Sequence, residues 1–209
     1  MGTTANKYDV KKALKEFYSP SSKDFTVVDV PDLHYIAVDG RGDPNASPDY
    51  PDAVEALYGV AYALKFASKT SGRDFVVGPL EGLWRADHPE AFVERRKDDW
   101  GWTMMISQPD WITEDMVRTA IEKVIAKKPN PAVDKVRLLT LSEGRSVQIL
   151  HIGPYDDEAP TLHHLHHQYM PQHGLTFDGD HHEIYLSDPR RTEPAKLKTI
   201  LRQPVRYRS

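Results

Sequence analysis

The sequence contains no cysteine, which excludes disulfide bonds and thiolate catalysis. It has no excess of positive charge: 27 lysines and arginines stand against 31 aspartates and glutamates, a formal net charge of −4. Such a chain lacks the global basic field that attracts nucleic acid or anionic lipid. No apolar run approaches the roughly 20 residues that span a bilayer, and residues 1–8 lack the apolar stretch of a signal peptide. We therefore expect a cytoplasmic protein without a direct nucleic-acid or membrane partner.

Several motifs of catalysis and cofactor binding are also missing. Gly40-Arg41-Gly42 does not have the spacing of a dinucleotide site or a P-loop, and no Gly-x-Ser-x-Gly elbow is present. The segment before residue 24 is too short for a helix-turn-helix region. These observations predict a protein that uses no cofactor.

The histidines raise the question of a metal site. His163 and His167 have the i, i+4 spacing of a metal pair, and His166 falls within an apolar stripe on the same helix. No His-Glu-x-x-His pattern accompanies them, and no acidic residue lies between them. We interpret this surface as a titrating, partly solvated helix face and predict no metal.

The chain repeats one order of elements, and each copy carries a glutamate in an apolar, aromatic strand. The order is strand, strand, helix, strand, strand. In the first copy the strand pattern covers 25–30, 34–39, a segment with Glu81, and 100–107, and a helix runs from Pro51 toward Gly72. The short connection at 31–33 predicts that the first two strands pair as a hairpin. A helix capped by Thr113 follows.

The second copy has strands at 136–141, 146–152 and 197–205, a helix that opens at Pro160, and a strand with Glu183. The pattern predicts an α+β fold with a first module at about 25–108, a connecting helix at about 113–128 and a second module at about 135–206. Residues 1–24 form an N-terminal arm or a short helix, and 25–209 a single domain. A carboxylate inside an apolar strand is costly to bury, so two in matching places indicate a ligand cleft between the halves.

The period of two in a strand predicts which way the glutamates point. His181, Glu183 and Tyr185 share one face, and we expect that face to point away from the helices. Glu81 is expected on the corresponding face, with Trp84 on the other side unless a bulge at Gly82 turns it.

Two facing carboxylates with aromatic walls suit a flat, apolar or cationic ligand, and they also suit activation of a water molecule. The alternative is that each glutamate caps a loop or pairs with an arginine such as Arg85 or Arg190. The tryptophans have an alternative role in core or interface packing. Tyr155, after Gly153-Pro154, either reaches the cleft or packs on the adjacent helix as a turn residue.

Two sets of motifs resemble a known family. His151-Ile-Gly-Pro-Tyr155, Glu183-Ile-Tyr-Leu-Ser-Asp-Pro189 and Gln203-Pro-Val205 resemble a GyrI-like domain, the small-molecule-binding domain of multidrug-responsive transcription activators. Gly78-Pro-Leu-Glu-Gly-Leu-Trp84 and Lys127-Lys-Pro-Asn-Pro131 resemble a stand-alone branch of that family. The resemblance covers about 25–206.

The resemblance implies two pseudo-symmetric strand–helix–strand–strand modules with antiparallel sheets that form a central ligand cleft, and a buried glutamate, matched by Glu183, that binds lipophilic cations. It also implies that the protein could be a hydrolase that opens the cyclopropane of DNA-alkylating compounds and so detoxifies them. We predict Glu81 and Glu183 as catalytic residues; the predicted ligand walls are Trp84, Trp102, Tyr58, Tyr155 and Tyr185. The expected protein is a monomer or weak dimer. The alternative function is a regulatory module that binds gyrase or a transcription factor without catalysis.

Overall fold

The structure is a computed structural model that describes residues 7–86 and 97–208. In chain order, the described residues form these helices and strands: α1 (Val10–Ala13), α2 (Lys15–Tyr18), β1 (Thr26–Val30), β2 (Leu33–Arg41), α3 (Asp49–Thr70), β3 (Leu80–Ala86), β4 (Trp100–Gln108), α4 (Glu114–Ile125), β5 (Arg137–Leu141), β6 (Gly144–Ile152), α5 (Ala159–His164), α6 (Met170–Gln172), β7 (Leu175–Phe177), β8 (His181–Tyr185) and β9 (Lys198–Tyr207). A π-helical turn, Leu165–Tyr169, joins α5 to α6.

The contacts within the chain divide it into two compact units. The first contains Met1–Ala13 and Leu33–Leu141, and the second contains Leu14–Asp32 and Ser142–Ser209. Each unit combines helices with antiparallel strands in the order strand, helix, strand, strand, so the predicted α+β class is confirmed. No helix in the described ranges combines the length and the apolar character that crossing a membrane requires.

The first unit contains an antiparallel sheet in the order β3–β4–β2–β5. Helix α3 begins with Asp49 and Asp52 in its first turn, where carboxylates interact favourably with the helix dipole. It ends just before Gly72, whose φ of +87° favours glycine. As predicted, Thr113 caps α4, because its side chain accepts a hydrogen bond from the Met116 amide at 3.3 Å.

The second unit contains an antiparallel sheet in the order β1–β6–β9–β8, with β7 also paired to β9. Leu165 and Met170 of the helical segment 159–172 pack against Val147, Leu175 and Val205. This cluster fixes the helical segment on the face of the sheet that carries Val147 and Val205.

The predicted hairpin of the first two strands is wrong. Strand β1 pairs with β6 of its own unit, with Val28 opposite Ser146, whereas β2 pairs with β4 and β5 of the first unit. A two-residue hairpin needs positive φ in its loop. Pro31 holds φ near −65° and cannot supply it, so the short connection leads from β1 of the second unit to β2 of the first unit instead of folding β1 back onto β2.

Candidate functional site

Strand β8 presents alternating side chains, as its sequence pattern predicts. His182 and Ile184 are completely buried, whereas His181, Glu183 and Tyr185 are half-buried on the opposite face. The register supports this division, because Glu183 lies opposite Leu201 and Tyr185 opposite Thr199 on β9. Glu183 and Tyr185 therefore share one side of the second unit's sheet.

That side is not the predicted one, because it faces the helical segment of its own unit. The His181 ring lies 6.5 Å from the His166 ring on the π-helical turn, measured between centroids. The Tyr185 ring meets the Tyr155 ring edge to face, with centroids 5.7 Å apart. The prediction that Glu183 points away from the helices is therefore wrong. Period two fixes the alternation of a strand but does not fix which face a helix covers.

Glu183 has two polar neighbours on its own strand. The Tyr185 hydroxyl donates a hydrogen bond to Glu183 Oε2 at 2.8 Å, and His181 Nε2 lies 3.5 Å from Glu183 Oε1. Only 15% of the Glu183 side chain is exposed. The tyrosine therefore fixes one carboxylate oxygen, and the histidine is close to the other.

A second carboxyl group, Glu158, faces the same region and was not predicted from the sequence. It follows the 3₁₀ turn Tyr155–Asp157 and directly precedes α5, whose first turn contains Pro160. Glu158 is 5% exposed, and among the described residues its Oε1 has no hydrogen-bond partner. Burial, together with the nearby charge of Glu183, raises the pKa of Glu158 to about 9, although the Thr199 hydroxyl acts in the opposite direction.

Tyr155 lies close to the same carboxyl groups. Burial raises its pKa to about 12, and the charges of Glu158, Glu183 and Asp188 add to the effect. Tyr155 is also 40% exposed, which makes it the more accessible of the two tyrosines at this site. Its hydroxyl therefore stays protonated at neutral pH and can donate a hydrogen bond.

These groups define a candidate site by their chemistry. Glu183 can accept a proton or balance a positive charge, and Glu158 is held in its neutral, proton-donating form at neutral pH. Tyr155 and Tyr185 supply ring surfaces and hydroxyl donors. The site thus combines a base, an acid and aromatic walls within the second unit.

Another buried carboxylate of the same unit, Glu143, differs from Glu158 because both of its oxygen atoms have a partner. Arg202 Nη1 donates to Glu143 Oε2 at 2.9 Å, and His182 Nδ1 lies 2.8 Å from Glu143 Oε1. Arg202 also donates to Gln148 Oε1 and to the Phe17 carbonyl oxygen. Burial alone would raise the pKa of Glu143, but the charge and hydrogen bond of His182, followed by those of Arg202, lower it to about 2.

This network was not predicted from the sequence. It explains the orientation of β8, because His182 and Arg202 occupy the face opposite to Glu183. The network anchors the carbonyl oxygens of Glu16 and Phe17 to the sheet through Gln148 and Arg202. We therefore assign Glu143 a structural role.

The first unit places Glu81 in different surroundings. Glu81 is completely buried and lies opposite Met105, on the face that carries Tyr35, Ala37 and Leu83. The other face of this sheet carries Trp102, which contacts Tyr50 of α3. Glu81 therefore faces away from α3, as predicted, whereas Glu183 faces its helical segment, so the two glutamates do not occupy matching faces of the repeat.

Trp84 and Trp102 lie together on the α3 side of the first unit. Trp84 is opposite Trp102, and Tyr50 contacts both rings at 6.4 and 5.4 Å between centroids. No bulge turns Trp84 to the Glu81 face. Trp84 is 7% and Trp102 1% exposed, and the Trp102 ring lies directly on Gly40, where a Cβ atom would be 2.0 Å from it. Both rings are thus packed in the core of their unit.

Tyr58, Arg85 and Arg190 were also considered from the sequence. Tyr58 is half-buried on α3. Arg85 donates to Thr103 Oγ1 at 2.9 Å, and Arg190 forms a two-pronged ion pair with Asp188. The catalytic role of Glu81 and the ligand-binding roles of Trp84, Trp102 and Tyr58 stay predictions.

Among the histidines of the helical segment 159–172, His166 differs in its burial. His163 and His167 are exposed, but His166 is half-buried, and burial lowers its pKa to about 4 with help from the charges of His181 and His167. Within residues 7–86 and 97–208, no group of three histidine or acidic side chains is arranged to hold a metal ion.

Comparison with known proteins defines the class. The sequence matches the GyrI-like small-molecule-binding domain over residues 23–206, and the predicted resemblance is confirmed: the protein belongs to the GyrI-like family. An uncharacterized conserved protein from Listeria innocua shares 41% identity with a TM-score of 0.88, and a hydrolase from Listeria innocua shares 41% with a TM-score of 0.83. Each match covers 96% of this chain and 100% of the other.

A more distant match is the C-terminal domain of EcmrR, at 11% identity and a TM-score of 0.55, with 88% of this chain and 98% of that chain covered. This likeness shows the fold alone. A search of curated proteins finds no match.

Proposed function

We propose that the protein binds a flat, apolar or cationic small molecule at the site formed by Glu183, Tyr185 and Tyr155, and that it hydrolyses compounds with a strained cyclopropane ring. The observation that carries the proposal is the half-buried Glu183 carboxylate, oriented by the Tyr185 hydroxyl and flanked by the Tyr155 ring. Aromatic faces and a carboxylate together attract an organic cation. Family membership supports small-molecule binding.

The hydrolytic part of the proposal is supported by the 41% identical hydrolase from Listeria innocua and by the chemistry of the site. In a cyclopropane conjugated to a carbonyl, the water oxygen forms a bond to a ring carbon as a carbon–carbon bond breaks. The electron pair of that bond moves through the conjugated system to the carbonyl oxygen. Glu183 takes a proton from the water, and a proton supplied to the carbonyl oxygen completes the net addition of one water. Tyr155, protonated at neutral pH, can donate a hydrogen bond to that oxygen.

The binding part is tested with ethidium, a flat cation whose charge does not titrate, and with phenanthrene, a neutral molecule of similar shape. The expected result is that Glu183→Gln weakens ethidium binding at least tenfold, about 1.4 kcal/mol, and leaves phenanthrene binding nearly unchanged. Fluorescence titration measures both. Glu193→Gln, on an exposed side chain, serves as a matched control. Equal loss for both ligands would contradict a charge-based role for Glu183.

The hydrolytic part is tested by incubating the protein with a cyclopropane-bearing alkylating agent and measuring the water adduct by mass spectrometry. Loss of a general base lowers rates by about 10²–10⁴-fold, so Glu183→Gln is expected to reduce product formation by at least 100-fold. Glu81→Gln tests in parallel whether the first unit's carboxylate contributes. If the adduct forms no faster than in buffer without protein, the protein binds without hydrolysing. If it forms faster than in buffer but equally fast in Glu183→Gln, Glu183 is not the base.

A further inference from the structure

The second unit contains two buried carboxyl groups, and their surroundings differ. Glu143 has a guanidinium and an imidazole as partners at hydrogen-bond distance. Glu158 is equally buried, yet it forms no ion pair in the described part of the chain, and its Oε1 accepts no hydrogen bond there. A buried ionised carboxylate without a partner is strongly destabilised. If Glu158 were ionised, no positive charge in the described part of the protein would balance it.

Among the charged groups around Glu158, the carboxylate of Glu183 has the largest effect on its ionisation. Glu183 is close enough for its charge to disfavour ionisation of Glu158, and both lie on the helix side of β8 and β9. Two such groups ordinarily retain one proton between them. A cation next to Glu183 would reverse this situation, because it would favour ionisation of Glu158.

We propose that Glu158 is a second carboxyl group of the binding site, and that the Glu158–Glu183 pair holds either one proton or one organic monocation. The proton leaves to solvent when the cation binds. This inference rests on the proposed function, since it concerns the same ligand class. It assigns a role to a residue outside the strand motifs and predicts that binding of a cation is linked to pH.

Other titratable groups around the Glu158–Glu183 pair determine the pH range in which the proposal is tested. They are His181 and Tyr185 on β8, Tyr155 and Asp156 on the 3₁₀ turn, Asp188 after β8, and His166, which faces His181. Burial lowers the pKa of His166 to about 4. Measurements between pH 7.0 and 8.5 therefore keep His166 neutral, while Glu158 still carries its proton in the free protein.

The test is isothermal titration calorimetry with ethidium in phosphate and in Tris, whose ionisation enthalpies differ. Wild type is expected to release close to one proton, and its affinity is expected to rise up to about tenfold per pH unit. Glu158→Gln, which cannot release a proton, is expected to release none and to bind with a pH-independent affinity. Glu193→Gln is expected to behave as wild type.

Three outcomes would overturn the inference, and each is distinct. If wild type binds ethidium and Glu183→Gln does not, but no proton is released, the proposed function stands and the shared proton is wrong. If Glu158→Gln keeps the proton release, another group supplies the proton. If wild type does not bind ethidium, the proposed cation binding fails. In that case, carboxyl carbon-13 NMR shows whether the pKa of Glu158 is still raised. A raised pKa would mean that the two carboxyl groups share a proton but bind no cation.

Discussion

Replacement of Glu158 by glutamine is expected to stabilise the second unit at pH 7. The pKa of Glu158 is raised in the folded protein to about 9, so folding keeps a proton that the unfolded chain has lost at neutral pH. Its contribution to stability is therefore fully present below the unfolded pKa and is lost as the pH rises toward 9. Glutamine has no proton to lose, and the expected gain at pH 7 is about 2–4 kcal/mol.

The gain from Glu158→Gln should increase with pH and vanish near pH 4, where glutamate is protonated in both states. All four tryptophans lie in the first unit, so a probe within the second unit is needed. Hydrogen exchange of the slowest backbone amides of β6 and β9 measures the opening free energy of the second unit directly. A loss of stability at pH 7 would contradict an unpaired, buried Glu158.

Replacement of Glu143 by glutamine should have the opposite effect. It leaves Arg202, which is completely buried, without its anionic partner, and breaking a buried ion pair from one side costs about 3–5 kcal/mol. The same amides of β6 and β9 are expected to exchange faster by a corresponding factor. Glu193→Gln, at an exposed side chain, is the matched control and should change little.

The pH dependence of the Glu143 effect has a defined sign. The pKa of Glu143 is lowered in the folded protein to about 2, so its contribution is present above the unfolded value near 4.5 and is lost as the pH falls toward 2. The difference between wild type and Glu143→Gln should therefore shrink as the solution is acidified to about pH 3. A difference that is independent of pH would show that the network stabilises by packing and not by charge.

Local sequence signals predicted most of the elements. Acidic residues and proline near the start of α3, Gly72 near its end and the Thr113 cap of α4 are signals that depend only on neighbouring residues. The alternation in β8 was likewise visible in its sequence. These features are properties of short segments, so one sequence is sufficient to find them.

The errors concern contacts between distant segments. The partner of β1 depends on a strand more than 100 residues away, and the face of Glu183 depends on where the segment 159–172 lies. Glu158 stands next to Asp156 and Asp157 in a loop, a composition that indicates a solvated turn. Its burial beside Glu183 and Thr199, on strands that follow later in the chain, is not visible in that composition. The proline at 160 was the one local signal, because it placed Glu158 just before a helix.

A crystal structure with bound ethidium would show whether the carboxyl pair of the second unit binds an organic cation. The expected density places the charged ring system against Tyr155, with its ring nitrogen within about 4–6 Å of the Glu183 carboxylate, a distance at which opposite charges shift each other's ionisation. Two surface depressions, of about 420 and 480 Å³, lie elsewhere, one lined by Phe25 and Tyr169 and the other by Tyr62 and Phe66. Ethidium bound in either depression, with the region around Glu158 and Glu183 unchanged, would contradict the claim.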